Sequence, residues 1–189
     1  DWQTKRSTVL ASKHYPLGIS LSSDGQKIAF TSCKGLEQLN DEQLLYDLWI
    51  APVYPDQMEE EQAFCLQKNI QMNYGLNFTW GKNNDTIYYV TEGSLAKSGL
   101  WSIEADEIGK SKLLFQSDKL RLDRDYEAPV ALENDDILLT ASGKLWRYEH
   151  ASKEMIELST QLKKRVITFF PTIINTTESA GMGHVLVQT

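Results

Sequence analysis

Apolar residues in this chain fall into runs of about four to seven positions, rich in β-branched and aromatic side chains and separated by polar turns. Helical spacing is poor almost throughout. The best helical match is Leu36 to Leu48, where Leu39, Leu44, Leu45 and Leu48 share one side of a stretch rich in Glu, Gln and Asp. We read it as an insertion with room for one short helical turn. Everywhere else the pattern predicts strands. Asp24-Gly25 is the clearest hairpin signal, because glycine takes the positive φ of a tight turn without a Cβ clash.

The runs repeat. Each unit opens on an aromatic next to Pro or Gly, continues into an apolar run and a polar turn, and enters a second run ending near a Thr. Tyr15-Pro-Leu-Gly, Ser22-Ser-Asp-Gly25 and Ile28 to Thr31 form the first such hairpin. Tyr74 to Trp80 with Ile87 to Thr91, and Tyr126 to Leu132 with Ile137 to Thr140, form the next two. Phe170 to Ile174, Ser179-Ala-Gly181 and Val185 to Val187 follow as a fourth. The lead aromatics at 15, 74, 126 and 170 are 59, 52 and 44 residues apart, close to the length of a four-stranded propeller unit. A third run then carries Leu-Trp three times, at Trp49, Trp101 and Trp146, and a fourth run closes each unit at Ala63 to Leu66, Lys112 to Phe115 and Met155 to Leu158.

Four strands per unit form a sheet with two apolar faces and no core of its own, so the units must lean on one another. The expected fold is therefore all-β, a β-propeller segment of four-stranded antiparallel blades. We expect three whole blades at 15–67, 74–117 and 126–160, the outermost strand of a preceding blade at 7–12, and the first two strands of a further blade at 166–189. The three Leu-Trp tryptophans are expected to pack between blades. The chain reads as a piece of a longer protein.

Leu-Ser-Ser-Asp24-Gly25-Gln-Lys-Ile-Ala-Phe30 followed by Asp47-Leu48-Trp49 resembles the TolB-type, WD40-like propeller repeat. The resemblance covers nearly the whole chain and loosens later, where Asn84-Asp85 and Asn134-Asp135 replace Asp-Gly. It implies a propeller whose first strands lie nearest the axis. Such repeats occur in periplasmic TolB-like binding proteins, in propellers that precede prolyl-oligopeptidase-like hydrolase domains, and in the extracytoplasmic halves of ToxR/CadC-like membrane-anchored regulators.

Charge narrows the partners. A net charge of −7 and a pI near 5.0 argue against nucleic acid, which needs a basic stripe to displace counterions. No apolar run is long enough to insert into a bilayer. Catalytic signatures are missing as well: the sequence has no Gly-x-Ser-x-Gly elbow, and Gly181-Met-Gly183-His184 reads as a hairpin turn. No metal or other cofactor is expected, since His14, His150 and His184 are isolated. Asp123, Asp125 and Glu127 lack the glycine and bidentate glutamate of an EF-hand loop and read as a solvated acidic loop. Cys33 and Cys65 should be separated by a strand, which favours free thiols over a disulfide.

The functional expectation is a non-catalytic, extracytoplasmic platform that offers axial loops to a protein or small-molecule partner. Its candidate ligand-binding residues are Tyr15, Tyr74, Tyr126 and Phe170 at the starts of the inner strands, each of them read first as a blade-packing residue. The alternative is the substrate-gating propeller of a prolyl-oligopeptidase-like serine peptidase.

Overall fold

The computed structural model describes residues 15–33, 45–53, 63–72, 75–91, 98–118, 122, 128–158, 166–170 and 184–187. It contains fourteen strands and no helix among the described residues. Strands β1 (Pro16–Leu21), β2 (Lys27–Cys33), β3 (Leu45–Pro52) and β4 (Phe64–Gln71) form an antiparallel sheet in that order. β5 (Phe78–Trp80), β6 (Thr86–Thr91), β7 (Ser98–Glu104) and β8 (Lys112–Ser117) repeat it. So do β9 (Val130–Ala131), β10 (Ile137–Ala141), β11 (Lys144–Glu149) and β12 (Glu154–Glu157). A hairpin of β13 (Val166–Phe170) and β14 (His184–Val187) follows, with β13 beside β11. The architecture is three propeller blades and a further hairpin.

Several boundaries differ from the sequence expectation. β4 continues to Gln71, past 67. Leu45 and Leu48 belong to β3, where Leu48 is buried and Leu45 exposed, so strand alternation governs the end of the Leu36–Leu48 run. Phe170 is the last residue of β13. Residues 7–12 and 34–44 lie outside the described residues.

The register aligns the blades residue by residue. Phe30 pairs with Trp49, Tyr89 with Trp101, and Leu139 with Trp146. Thr31 therefore matches Val90 and Thr140, whereas Thr91 matches Ser32 and Ala141. Aligning the blades on their threonines misplaces the second by one residue. Each tryptophan donates its indole N–H to the end of the second strand of its own blade: Trp49 to Ser32 Oγ at 2.9 Å, Trp101 to Thr91 Oγ1 at 3.0 Å and Trp146 to the Ala141 carbonyl at 3.0 Å. The rings of Phe30 and Trp49 stack with centroids 6.3 Å apart, as do those of Tyr89 and Trp101.

Packing between blades supplies the core. Ala29, Leu48, Ile50 and Leu66 of the first sheet meet Phe78, Trp80, Ile87, Tyr89 and Ile103 of the second, with Trp101 against the cluster. The reverse face of the second sheet, carrying Tyr88, Val90 and Leu100, meets Ala131, Ile137, Leu139 and Tyr148 of the third, with Trp146 alongside. Both faces of the middle blade are thereby consumed. Trp101 and Trp146 thus pack between blades, while Trp49 packs on the opposite face of the first sheet with Ile28, Phe30 and Ala51.

Cys33 sits opposite Tyr46 and Cys65 opposite Trp49, three positions apart along β3. That separation is roughly 10 Å of strand rise, and the two cysteines form no disulfide.

Leu100 has no solvent exposure and Leu113, in the same sheet, has 41%. Leu100→Ala is expected to lower unfolding free energy by about 3 kcal/mol or more through lost burial and a residual cavity. Leu113→Ala should cost at most about 1 kcal/mol. Urea denaturation of the two variants measures the difference.

Candidate functional site

Two ends of the blade stack gather backbone and side chains from more than one blade. The first is where β1 begins, and it holds the sequence-predicted surface. Tyr15 stands there 81% exposed, with a left-handed backbone at φ 45°. This conformation sets it apart from the extended strand that follows, and the aromatics packed at the junction of the first two blades are Phe78 and Trp80. Tyr74 and Tyr126 lie outside the described residues. Phe170 is placed opposite His184 in the last hairpin. Of the four candidates, Tyr15 and Phe170 lie among the described residues.

Below Tyr15 the first two blades touch through their backbones. The Thr31 hydroxyl accepts a hydrogen bond from the Gly18 N–H at 3.1 Å and donates one to the Gly75 carbonyl at 2.6 Å. A Cβ on Gly18 would collide with the Gly75 carbonyl oxygen, and one on Gly75 (φ 69°) would lie 2.8 Å from Thr31 Oγ1 and from the Tyr46 ring. Glycine is required at both positions by this approach. Beside it, the buried Asp47 carboxylate accepts the Asn69 N–H at 2.9 Å. Trp80 spans the same blade junction, donating its indole N–H to the Ser20 carbonyl at 3.0 Å.

The opposite end carries the hairpin turns joining the first and second strands. All three turns share one chemistry. Gly25 N–H bonds to the Ser22 carbonyl, Asn84 N–H to Gly81 and Asp135 N–H to Leu132. These three donors have φ of 70°, 61° and 63°. The residue before each is an Asx whose side chain accepts an N–H two positions on: Asp24 from Gln26, Asn83 from Asp85 and Asn134 from Asp136. So Asn83-Asn84 is the counterpart of Asp24-Gly25, one residue earlier than the sequence comparison placed it.

Asn84 also reaches the neighbouring blade. Its Oδ1 accepts from the Ser23 N–H at 2.6 Å and the Ser23 hydroxyl at 2.8 Å, with the Asp24 N–H at 3.3 Å. Sequence reasoning missed Thr31, Gly75 and Asn84; only the positive-φ preference of asparagine at a turn could have marked the last. Hydrogen bonds from Gln26 N–H and then the Ser22 hydroxyl hold the Asp24 carboxyl below its ordinary range.

Close to these turns, burial pushes the Tyr88 hydroxyl up to about 12, helped by the negative charges of Asp135 and Glu104. Burial raises Tyr89 and Tyr148 as well, Tyr89 being partly offset by a hydrogen bond with Ser111. Among the described residues no three His, Cys, Asp or Glu side chains form a metal-binding group. Asp123, Asp125 and Glu127 lie outside them. No described helix is long and apolar enough to cross a membrane.

Blades stacked through both faces, with β1 touching β5 and β5 touching β9 at their inner edges, define the architecture. The chain carries β-propeller blades.

Solved structures agree. The chain is similar to the tricorn protease at 13% identity and a TM-score of 0.62, covering 91% of this chain and 21% of that one. It is similar to a prolyl endopeptidase at 6% identity and a TM-score of 0.55, covering 84% and 24% of the two chains. A gluconolactonase from Xanthomonas campestris matches at 10% identity and a TM-score of 0.53, covering 79% and 50%. This chain therefore spans half or less of the length of each of these proteins, and the likeness is one of fold. No family model matches the chain, and no curated protein does.

Two measurements check the geometry of this region. Asn84→Gly keeps the left-handed turn but removes the bridge to Ser23, and should cost about 1 kcal/mol. Asn84→Ala should cost about 1 kcal/mol more, from the positive φ. Thermal melts of both variants separate the two effects.

For Tyr88, the folded state holds its proton to about 12 while the unfolded chain releases it near 10. The folded state thus binds more protons in that window, so this contribution is intact below about pH 10 and is lost as pH rises through about 12. Urea titrations across this range should show stability falling, and Tyr88→Phe should flatten the fall.

Proposed function

We propose that the chain is part of a non-catalytic propeller that presents its strand-end loops to a protein or small-molecule partner. In this reading it works outside the cytoplasm, as the sensory or interaction region of a larger, membrane-anchored regulator. One observation carries the proposal. The faces of the middle blade are spent on packing, so the surface left for a ligand is the loop end, and there Tyr15 stands open above the rigid Gly18–Thr31–Gly75 junction. A fixed scaffold under an exposed aromatic suits recognition, because the contact residue orders little on binding. The acidic charge of the chain suits a partner other than nucleic acid.

A second reading has support from the comparisons. Two of the similar structures are peptidases, a tricorn protease and a prolyl endopeptidase, and this chain would then be the propeller that gates substrate entry to a separate hydrolase domain. The two readings differ in what accompanies the propeller. The regulator requires a winged helix and a membrane span upstream; the peptidase requires a downstream domain with a Gly-x-Ser-x-Gly elbow.

The deciding experiment treats the full-length product with a fluorophosphonate, which labels an activated serine, and screens it for ligands by thermal shift. The platform reading expects no labelling, and a ligand-dependent rise in melting temperature that Tyr15→Ala weakens by about tenfold in affinity with the unliganded melt unchanged. Stoichiometric labelling would overturn it in favour of the gating reading.

A further inference from the structure

We infer that the outer rim between the second and third blades is a docking surface for a glycine-bearing turn of a partner protein. The rim between the first two blades shows what such a turn does. Leu48 pairs with Gln67 while Trp49 pairs with Cys65, so β4 bulges at Leu66. The Leu66 carbonyl accepts the Gly109 N–H at 2.8 Å from the β7–β8 turn of the next blade. Gly109 is left-handed there, at φ 72°, and two residues on the Ser111 hydroxyl donates to Gln67 Oε1 at 2.9 Å. Leu66 consequently has none of its surface exposed.

The next rim has the same seat without the turn. Leu100 pairs with Phe115 and Trp101 with Leu113, so β8 bulges at Leu114, in the place of Leu66. The β11–β12 connection of the third blade is one residue shorter than its counterpart, because the pair matching Trp101 and Leu113 is Trp146 and Glu157. Lys153 takes the place of Gly109 and is also left-handed, at φ 59°. Its N–H, however, closes on the Glu149 carbonyl of its own turn at 2.8 Å. Among the described residues no donor outside the sheet reaches the Leu114 carbonyl. Leu114 is accordingly only half-buried.

The occupant follows from the chemistry of the strip. Phe115 and Met155 stand at the register positions of Gln67 and Ser111, so two apolar side chains replace the polar tie. With Leu114 and Trp146 they make a half-buried strip continuous with the apolar contact between these blades. Aromatic and methionine side chains beside an open carbonyl suit a protein turn that brings one backbone N–H and an apolar surface. The turn at Gly109 is the image of that occupant, held by the neighbouring rim. This surface belongs to the outer strands, whereas Tyr15 opens the inner strand of the first blade, so the inference does not depend on the loop-end reading.

The probe is a synthetic peptide of residues 104–112 closed into a ring by added terminal cysteines, titrated into the full-length protein carrying carbon-13 methionine methyl groups. The Met155 methyl resonance is expected to move with a dissociation constant below about 1 mM, while that of the buried Met72 stays in place. Gly109→Pro in the peptide removes the donor N–H and should weaken binding about tenfold. Phe115→Ala in the protein should weaken it by a similar factor, with the Met72 resonance reporting an intact fold, and Tyr15→Ala should leave it unchanged. An unmoved Met155 resonance at millimolar peptide overturns the inference, and so does equal binding of the proline peptide. A Met155 methyl group already shielded from a soluble paramagnetic agent in the free protein would also overturn it, because another part of the same polypeptide would then cover the strip.

Discussion

The apolar contact between successive sheets is the interaction on which the rest of the molecule depends. A four-stranded sheet satisfies its internal backbone hydrogen bonds by itself, but it leaves two oily faces toward water. Here the second sheet resolves both at once, with Trp80, Ile87 and Ile103 against the first blade and Tyr88, Val90 and Leu100 against the third. Stability in such a stack is approximately a sum of neighbouring interfaces. The middle blade therefore holds the described structure together, and the position of every loop follows from how its two faces are filled.

Polar groups decide where along those faces the blades stop sliding. Apolar contact is non-directional, whereas the junctions at Thr31–Gly75 and at Asn84–Ser23 are short and directional. They lie at opposite ends of the same pair of blades, and together with the Trp80–Ser20 bond they fix its orientation. The tryptophans of the third strands perform a different service. Each ties its ring to the end of the adjacent strand within its own blade, and in the first two blades the ring lies nearly parallel to the aromatic it pairs with, Phe30 or Tyr89. Gly99 makes room for this: a Cβ there would lie 2.6 Å from Trp101 Nε1.

Much of this was legible in the sequence because period-2 apolar runs, turn residues and a recurring Leu-Trp pair all point to the same unit. Asp24-Gly25 announced its hairpin, and Trp49, Trp101 and Trp146 marked the third strand of each blade. The alignment within the unit was less legible. Thr31 and Thr91 look equivalent in the sequence but differ by one position against the tryptophan. Asn83-Asn84 was hidden as a counterpart of Asp-Gly because asparagine can take the left-handed conformation that glycine usually fills. The Leu36–Leu48 run looked amphipathic because leucines spaced by three or four fit a helix, yet Leu45 and Leu48 lie in a strand whose partners, Gln71 and Gln67, come from across the sheet.

The sequence by itself determined the local grammar of this protein: strands, turns, four to a unit, and the need for each unit to be covered on both sides. These depend on side-chain alternation and turn chemistry, which act over a few residues. Only the tertiary structure decided which face meets which neighbour, that Tyr15 stands open while Phe78 and Trp80 are buried, and that Gly18 and Gly75 mark a backbone contact. Those outcomes depend on residues brought together from about 45 to 60 positions apart, and no short stretch of chain encodes such a meeting, because each partner is shaped by a different blade.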